Sequence, residues 1–458
     1  MISLNDIYFS VQGTVIFKQL NLQFESGVSY LITGNNGIGK TTLLNLIAGK
    51  IQPKSGSISY DFIDSSLTWD EKYELRKKHI HYVPTHALHE LMSGPDLYYQ
   101  QRYYTIEDTT PVPTVKDFFG VRYNKLHEFD FPASFNIDHL LKLELPRLSN
   151  GQFKKIIILK QLLDNLPKIL LLDYPFEGLD LTSRIELKEF LDHLANNHHI
   201  QLIIADHNHP QLPNAITKKI ELTSPSCKIT NRTQSELDST SLPQTIVPVK
   251  ETEPVVEMRN LKIQYGNTII IKNLNWKINR GERWALTGPN GSGKTTLFSL
   301  IYADHPMAYS EQVYLFGKRR GTGESIWDIK KRISYLGPEQ IHFLDAATSL
   351  LTVYQYLNIK NEVTGVKSII DFFRIEHLLQ KRVRQLSNGE LQLVLLIGLF
   401  LSQKELLLLD EPFQFLDPTR KARVNEYLSA YLDEDTTLVL ITHYEGDVTH
   451  WTNHRMKL

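Results

Sequence analysis

Short apolar runs rich in β-branched residues alternate along this chain with stretches whose apolar residues recur every three to four positions. That alternation predicts crossover units on a largely parallel sheet. Val28–Thr33 and Arg283–Thr287 read as buried strands, and each enters a glycine-rich segment directly. Thr41–Ala48 and Thr295–Tyr302 then take up helical spacing. Two more apolar runs, Lys168–Asp173 and Glu405–Asp410, read as strands ending in a carboxylate. The longest apolar stretch, Leu391–Leu401, is broken by Gln392 and is shorter than the roughly 18 to 20 residues that span a bilayer.

The pattern occurs twice because the chain is a tandem repeat. Phe17–Ile47 and Ile271–Ile301 align without a gap at a constant offset (294 − 40 = 254). Residues 1–223 form the first expected domain and 255–458 the second. Between them, 224–254 is rich in Ser, Thr and Pro and reads as an exposed linker. The first half carries extra chain in Leu88–Phe119, where Tyr98, Tyr99, Tyr103 and Tyr104 crowd around Arg102. With a single Arg among acids, this reads as a partner-docking face rather than a base-stacking platform.

Composition narrows the partners. The chain has 458 residues, 41% of them apolar, with a net charge of −1, so nothing global draws it to nucleic acid, which is not an expected partner. Cys227 is the only cysteine, excluding an intrachain disulfide. The start, MISLNDIYFS, lacks the pattern of a secretory signal, and a cytoplasmic location is the expectation.

Chemistry concentrates at the two glycine loops. Gly34-Asn35-Asn36-Gly37-Ile38-Gly39-Lys40-Thr41 and Gly288-Pro289-Asn290-Gly291-Ser292-Gly293-Lys294-Thr295 both fit G-x-x-x-x-G-K-[ST], and Thr42 and Thr296 follow. Backbone N–H groups in such a loop curl around phosphate oxygens, the helix that follows directs its positive end at them, and the Lys reaches the β- and γ-phosphates. ATP is therefore the expected ligand. Mg²⁺ is expected on the hydroxyls of Thr41 and Thr295, with Asp173 and Asp410 supporting it through its water shell. After these acids the halves part: Glu411 follows Asp410 and can serve as base, whereas Tyr174 follows Asp173. A phenol is a poor proton acceptor at neutral pH.

Leu148-Ser149-Asn150-Gly151-Gln152 and Leu386-Ser387-Asn388-Gly389-Glu390 resemble the LSGGQ signature, and with the loops they make the whole chain similar to two fused ATP-binding cassettes. The resemblance implies two ABC-type P-loop NTPase domains in tandem, each an α/β core with a mainly parallel sheet, a β-subdomain and a helical subdomain. It implies head-to-tail pairing within the chain, Ser149 and Gly151 closing on the second loop, Ser387 and Gly389 on the first. Leu179-Asp180 and Leu416-Asp417 resemble the D-loop, and His207 and His443 the switch histidine that meets the γ-phosphate. Tyr265 matches the ring that stacks on adenine, where the first half has Val11. The Q-loop glutamine falls on Thr85 in one copy and near Pro338 and Gln340 in the other, leaving it unassigned. By this mapping Lys294, Glu411 and His443 are catalytic, and the first site binds ATP without cleaving it.

Asp304–Ser310 and Leu315–Lys331 further resemble the ModF group of tandem cassette proteins, labelled molybdate-transport ATP-binding proteins. The run Lys318-Arg319-Arg320 within it reads as a solvated face. The resemblance implies an energising subunit for a separate transmembrane permease, at the inner face of the cell membrane. The alternative is a soluble cassette ATPase acting on a ribosome or DNA.

Overall fold

The computed structural model describes the chain apart from residues 12, 65, 86–112, 133–136, 146–147, 149, 164, 208–210, 224–225, 232–253, 266–267, 303–304, 338–339, 341–345, 361–365, 432–434 and 443–450. It divides into two units, Met1–Asp238 and Ser239–Leu458.

In the first unit, β1 (Ile2–Val11) pairs antiparallel with β2 (Thr14–Phe24) and β4 (Ser55–Tyr60). β3 (Ser29–Thr33), β5 (Ile80–Val83), β6 (Ile169–Asp173), β7 (Gln201–Ala205), β8 (Ile216–Thr223) and β9 (Ser226–Asn231) form a six-stranded sheet in the order β5-β6-β7-β3-β8-β9. All its pairings are parallel except β8 with β9. The strand Ser226–Asn231 lies inside the stretch whose composition reads as linker. Its register sets Ile229 opposite Ile220 and Cys227 opposite Leu222, and as an edge strand with Lys228–Asn231 exposed it carries little apolar signal.

The second unit repeats the plan. β10 (Pro254–Tyr265), β11 (Thr268–Asn279), β13 (Gln312–Leu315) and β14 (Lys318–Arg319) form the antiparallel layer. β12 (Arg283–Thr287), β15 (Ile333–Leu336), β16 (Leu406–Asp410), β17 (Thr437–Ile441) and β18 (His454–Lys457) form a parallel sheet in the order β15-β16-β17-β12-β18.

Strands β6 and β16 are buried along their whole length, so they read as unbroken apolar runs rather than alternating ones. Each lies one strand away from the strand that feeds the glycine loop, separated from it by β7 or β17. Asp173 is in register with Ala205 and Asp410 with Ile441, placing both carboxylates at the C-terminal edge of the sheet, where the glycine loops also begin. Open α/β sheets bind ligands at that edge.

The helices Asn150–Leu162 and Asn388–Leu401 start at the signatures and bury their apolar residues in the second core of each unit. Among the described residues no helix is long and apolar enough to cross a membrane. The Tyr-rich segment around Arg102 lies outside the described residues, but Val115–Phe119 at its end is a helix with Val115 and Phe119 buried. Of the basic run, Lys318 and Arg319 are exposed as expected, while Arg320 is only 2% exposed. Its guanidinium is paired with Glu324 at 2.7 Å and set against Tyr309, because a buried cation needs a partner.

Candidate nucleotide sites

Both glycine loops end in the backbone turn a phosphate cradle requires. Gly39 (φ 108°) and Gly293 (φ 96°) are left-handed N-caps of the helices Lys40–Ala48 and Lys294–Ile301, and a Cβ on either would press against Ile16 and Phe17 or Ile270 and Ile271. At Gly37 and Gly291 a Cβ would meet nothing within 4 Å, so each loop opens onto free space. Lys40 Nζ donates to the carbonyls of Gly34 (2.5 Å) and Asn35 (2.9 Å), and Lys294 Nζ to those of Gly288 (2.9 Å) and Pro289 (2.8 Å). Both ammonium groups are buried and folded back over their own loops, a posture from which each can exchange a carbonyl for a phosphate oxygen.

The expected metal ligands meet in space although 132 and 115 residues separate them. Thr41 Oγ1 donates to Asp173 at 3.0 Å and Thr295 Oγ1 to Asp410 at 2.9 Å. A hydroxyl and a carboxylate at the mouth of a phosphate loop are hard oxygen donors, and they fit Mg²⁺. Thr42 and Thr296 take the next positions on the same helices.

Beyond the acid, the two units keep one backbone conformation with different chemistry. Tyr174 and Glu411 both adopt φ 50°, and their N–H groups donate to Ala205 and Ile441 at 2.8 and 3.0 Å. The Tyr174 ring lies 5.4 Å from that of His207 and 5.6 Å from Lys40 Nζ, filling the place where the second unit has a carboxylate. Sequence reasoning missed a second departure beside it. Lys154, on the helix Asn150–Leu162, donates to the carbonyls of Tyr174 (3.2 Å) and Glu177 (2.6 Å). Its counterpart five residues after the other signature Ser is Gln392, which donates to Pro412 at 2.8 Å. Superposing the signatures, rather than the glycine loops alone, exposes this exchange.

The ammonium of Lys154 is pulled down to about 8, first by desolvation, against the opposing charges of Glu177 and Asp206. Asp206 is buried next to His207 and pushed up to about 6 by desolvation, although the N–H groups of His207 (2.7 Å) and Phe176 (3.4 Å) support its charged form. The charge of Glu177 acts on Lys154, whose Nζ bonds the Glu177 carbonyl. A small cavity lined by Thr85, Lys154, Asp173 and Tyr174 sits at this point, and Thr85 Oγ1 donates to the Asp173 carbonyl at 3.1 Å. In the second unit Gln340 donates to the Tyr335 carbonyl at 3.0 Å.

The remaining expected residues are distributed as follows. Ser387 caps the helix Asn388–Leu401 in a box with Glu390, and Gly389 is buried in its first turn. Gly151 is buried against Ser183, where a Cβ would come within 2.7 Å. Asp180 and Asp417 accept from Ser183 and Arg420 N–H groups and cap the helices that follow β6 and β16. Asn36 and Ser292 lie in their loops, and Asn290 is half-buried. Ser149, His443 and the ring of Tyr265 lie outside the described residues.

The ABC transporter family model matches residues 17–177 and 271–414, which take in both glycine loops and both acidic strands. The chain belongs to this family. Among its relatives, an uncharacterised ABC transporter ATP-binding protein of Schizosaccharomyces pombe is 29% identical over 96% of this chain and 94% of its own length. The ABC transporter ATP-binding protein ModF of Escherichia coli is 27% identical over 98% and 95%. Among solved structures, an archaeal ribosome recycling factor in complex with ribosomal stalk protein aP1 aligns with a TM-score of 0.59 at 19% identity, covering 99% of this chain and 87% of that one. A ribosome-bound archaeal Pelota and ABCE1 model gives 0.62 at 20% identity, covering 99% and 76%. These likenesses establish a tandem ABC ATPase fold, and ABC ATPase domains bind ATP and as a class hydrolyse it.

Proposed function

We propose that this ABC protein is an asymmetric ATP-driven subunit whose second cassette hydrolyses ATP and whose first retains it. The observation that carries this reading is the exchange of Glu411 for Tyr174 at one strained backbone position, each following a Thr-bonded Asp. Thr295 and Asp410 would hold Mg²⁺ in the second site, Thr41 and Asp173 in the first. The ion supplies positive charge against the β- and γ-phosphates. Lys294 leaves its loop carbonyls for the γ-phosphate, and Glu411 accepts the proton of the attacking water. The first site lacks that negative charge and gains the cation of Lys154, a change that favours holding an anion over activating water. Head-to-tail pairing would bring Ser149 and Gly151 to the second loop and Ser387 and Gly389 to the first. His443 would meet the γ-phosphate and Tyr265 the adenine of the second site.

The relatives' ATP-binding transporter names support a separate membrane permease as the partner, with this chain on the cytoplasmic face. The fold shared with ribosome-associated factors supports a soluble macromolecular partner equally well. Affinity capture of the tagged native protein from detergent-solubilised membranes, alongside ribosome co-sedimentation with and without ATP, tests this. Recovery of a multispan protein upholds transport, and nucleotide-dependent pelleting with ribosomes alone overturns it.

A further inference from the structure

Among residues that the nucleotide sites do not use, the first unit gathers Asp130, His193 and His198, with one ligand atom from each lying within 4.8 Å of the others. His193 is on the last turns of the helix Leu181–Asn197 and His198 is its C-cap. Asp130 follows the 3-10 helix Gly120–Glu128. His193 Nε2 faces both the Asp130 carbonyl (2.9 Å) and its Oδ2 (3.3 Å), and His198 Nε2 is directed at that same carbonyl from 3.5 Å. Two imidazole nitrogens and two oxygens of one residue thus crowd around a single point.

Both Nε2 atoms point at Asp130, and its carboxylate shares the His193 nitrogen with the carbonyl. A cation bound by the neutral rings takes the place of the protons at that point. The place suits one, since the C-terminal end of a helix carries partial negative charge. The ring orientations are also set in advance: His198 stacks on Phe129 at 4.8 Å, and the two imidazoles stand 5.4 Å apart at 67°. Zinc holds its donors at roughly 2.0 to 2.2 Å, so binding requires the three ligand atoms, now within 4.8 Å of one another, to draw closer together.

We infer that Asp130, His193 and His198 form a site for zinc or a similar divalent transition ion, completed by water. Two imidazoles and one carboxylate select such ions over Mg²⁺ and Ca²⁺, which prefer all-oxygen shells. The bound ion would fasten the segment around Phe129 to the end of the helix that starts at Asp180. The role is structural.

The test uses the full-length protein with Mg²⁺ in excess to occupy the nucleotide sites. Zn²⁺ bound per chain is measured at buffered micromolar free zinc for wild type and for the His193→Gln, His198→Gln double variant. The expected result is one equivalent fewer in the variant, with ATP turnover within about threefold of wild type, since neither residue is assigned to a nucleotide site. Equal stoichiometry in the two proteins overturns the site. Should the double variant fold poorly, Asp130→Ala substitutes for it, and Co²⁺ gives a second readout. Visible ligand-field absorption present in wild type and lost in Asp130→Ala supports the site, and unchanged absorption overturns it.

Discussion

Replacing Glu411 by Gln tests its proposed role as base with little change to the residues around it. The Glu411 backbone is held at φ 50° by its N–H bond to Ile441 (3.0 Å), and its carbonyl accepts from Gln392 (3.4 Å), so an amide of the same size leaves this frame in place. Its Oε1 is shut off from solvent, and the isosteric change leaves no cavity. Lys294, Thr295 and Asp410 keep their bonds to one another and to the loop, so ATP affinity should stay within about threefold of wild type. What disappears is a proton acceptor, worth roughly 10² to 10⁴ in rate, or about 3 to 5 kcal/mol of barrier. The assay is phosphate release under saturating Mg²⁺ and ATP, with affinity read separately from a fluorescent nucleotide. Adding Tyr174→Glu to this variant should recover less than about a tenth of wild-type turnover, because a carboxylate placed beside Lys154 is pinned by that cation and loses basicity. Turnover of Glu411→Gln within about tenfold of wild type would refute the assignment.

Gly293→Ala forces a left-handed alanine and sets its Cβ 2.9 Å from Ile270 Cγ2 and Ile271 Cδ1, so thermal unfolding should show a loss of about 1 to 2 kcal/mol along with weaker ATP binding. Unchanged stability and affinity would mean that the loop does not need this turn. Asp206 gives a pH signature. Its carboxyl is raised to about 6 from 3.8, so its stabilising contribution is complete below the lower value and is lost as pH rises through the higher one. Compared with Asp206→Asn, wild type should lose up to roughly 3 kcal/mol of stability between about pH 4 and pH 7 in denaturant titrations, and a difference that does not vary with pH excludes the shift.

Much of this protein is legible from local sequence. Glycine loops announce themselves because only glycine tolerates the left-handed turn at Gly39 and Gly293 without strain, and the buried parallel strands β6 and β16 do so because sheets covered on both faces need unbroken apolar runs. The exchange of Glu411 for Tyr174 between the repeats is legible from residue identity alone. Other features depend on which segments the fold brings together. The strand Ser226–Asn231 hid in a polar stretch because it lies at a sheet edge with Lys228–Asn231 exposed, so it needs little apolar sequence. Arg320 appeared solvated until Glu324 and Tyr309 closed over it. Lys154 stands about twenty residues from Tyr174 and Glu177 in sequence, and its ammonium is desolvated only when its helix packs against the end of β6. Asp130 and the two histidines are more than sixty residues apart and converge only through the tertiary fold. Chain-local chemistry is written in residue types, whereas desolvation and ligand convergence come from packing between distant segments, which no local pattern encodes.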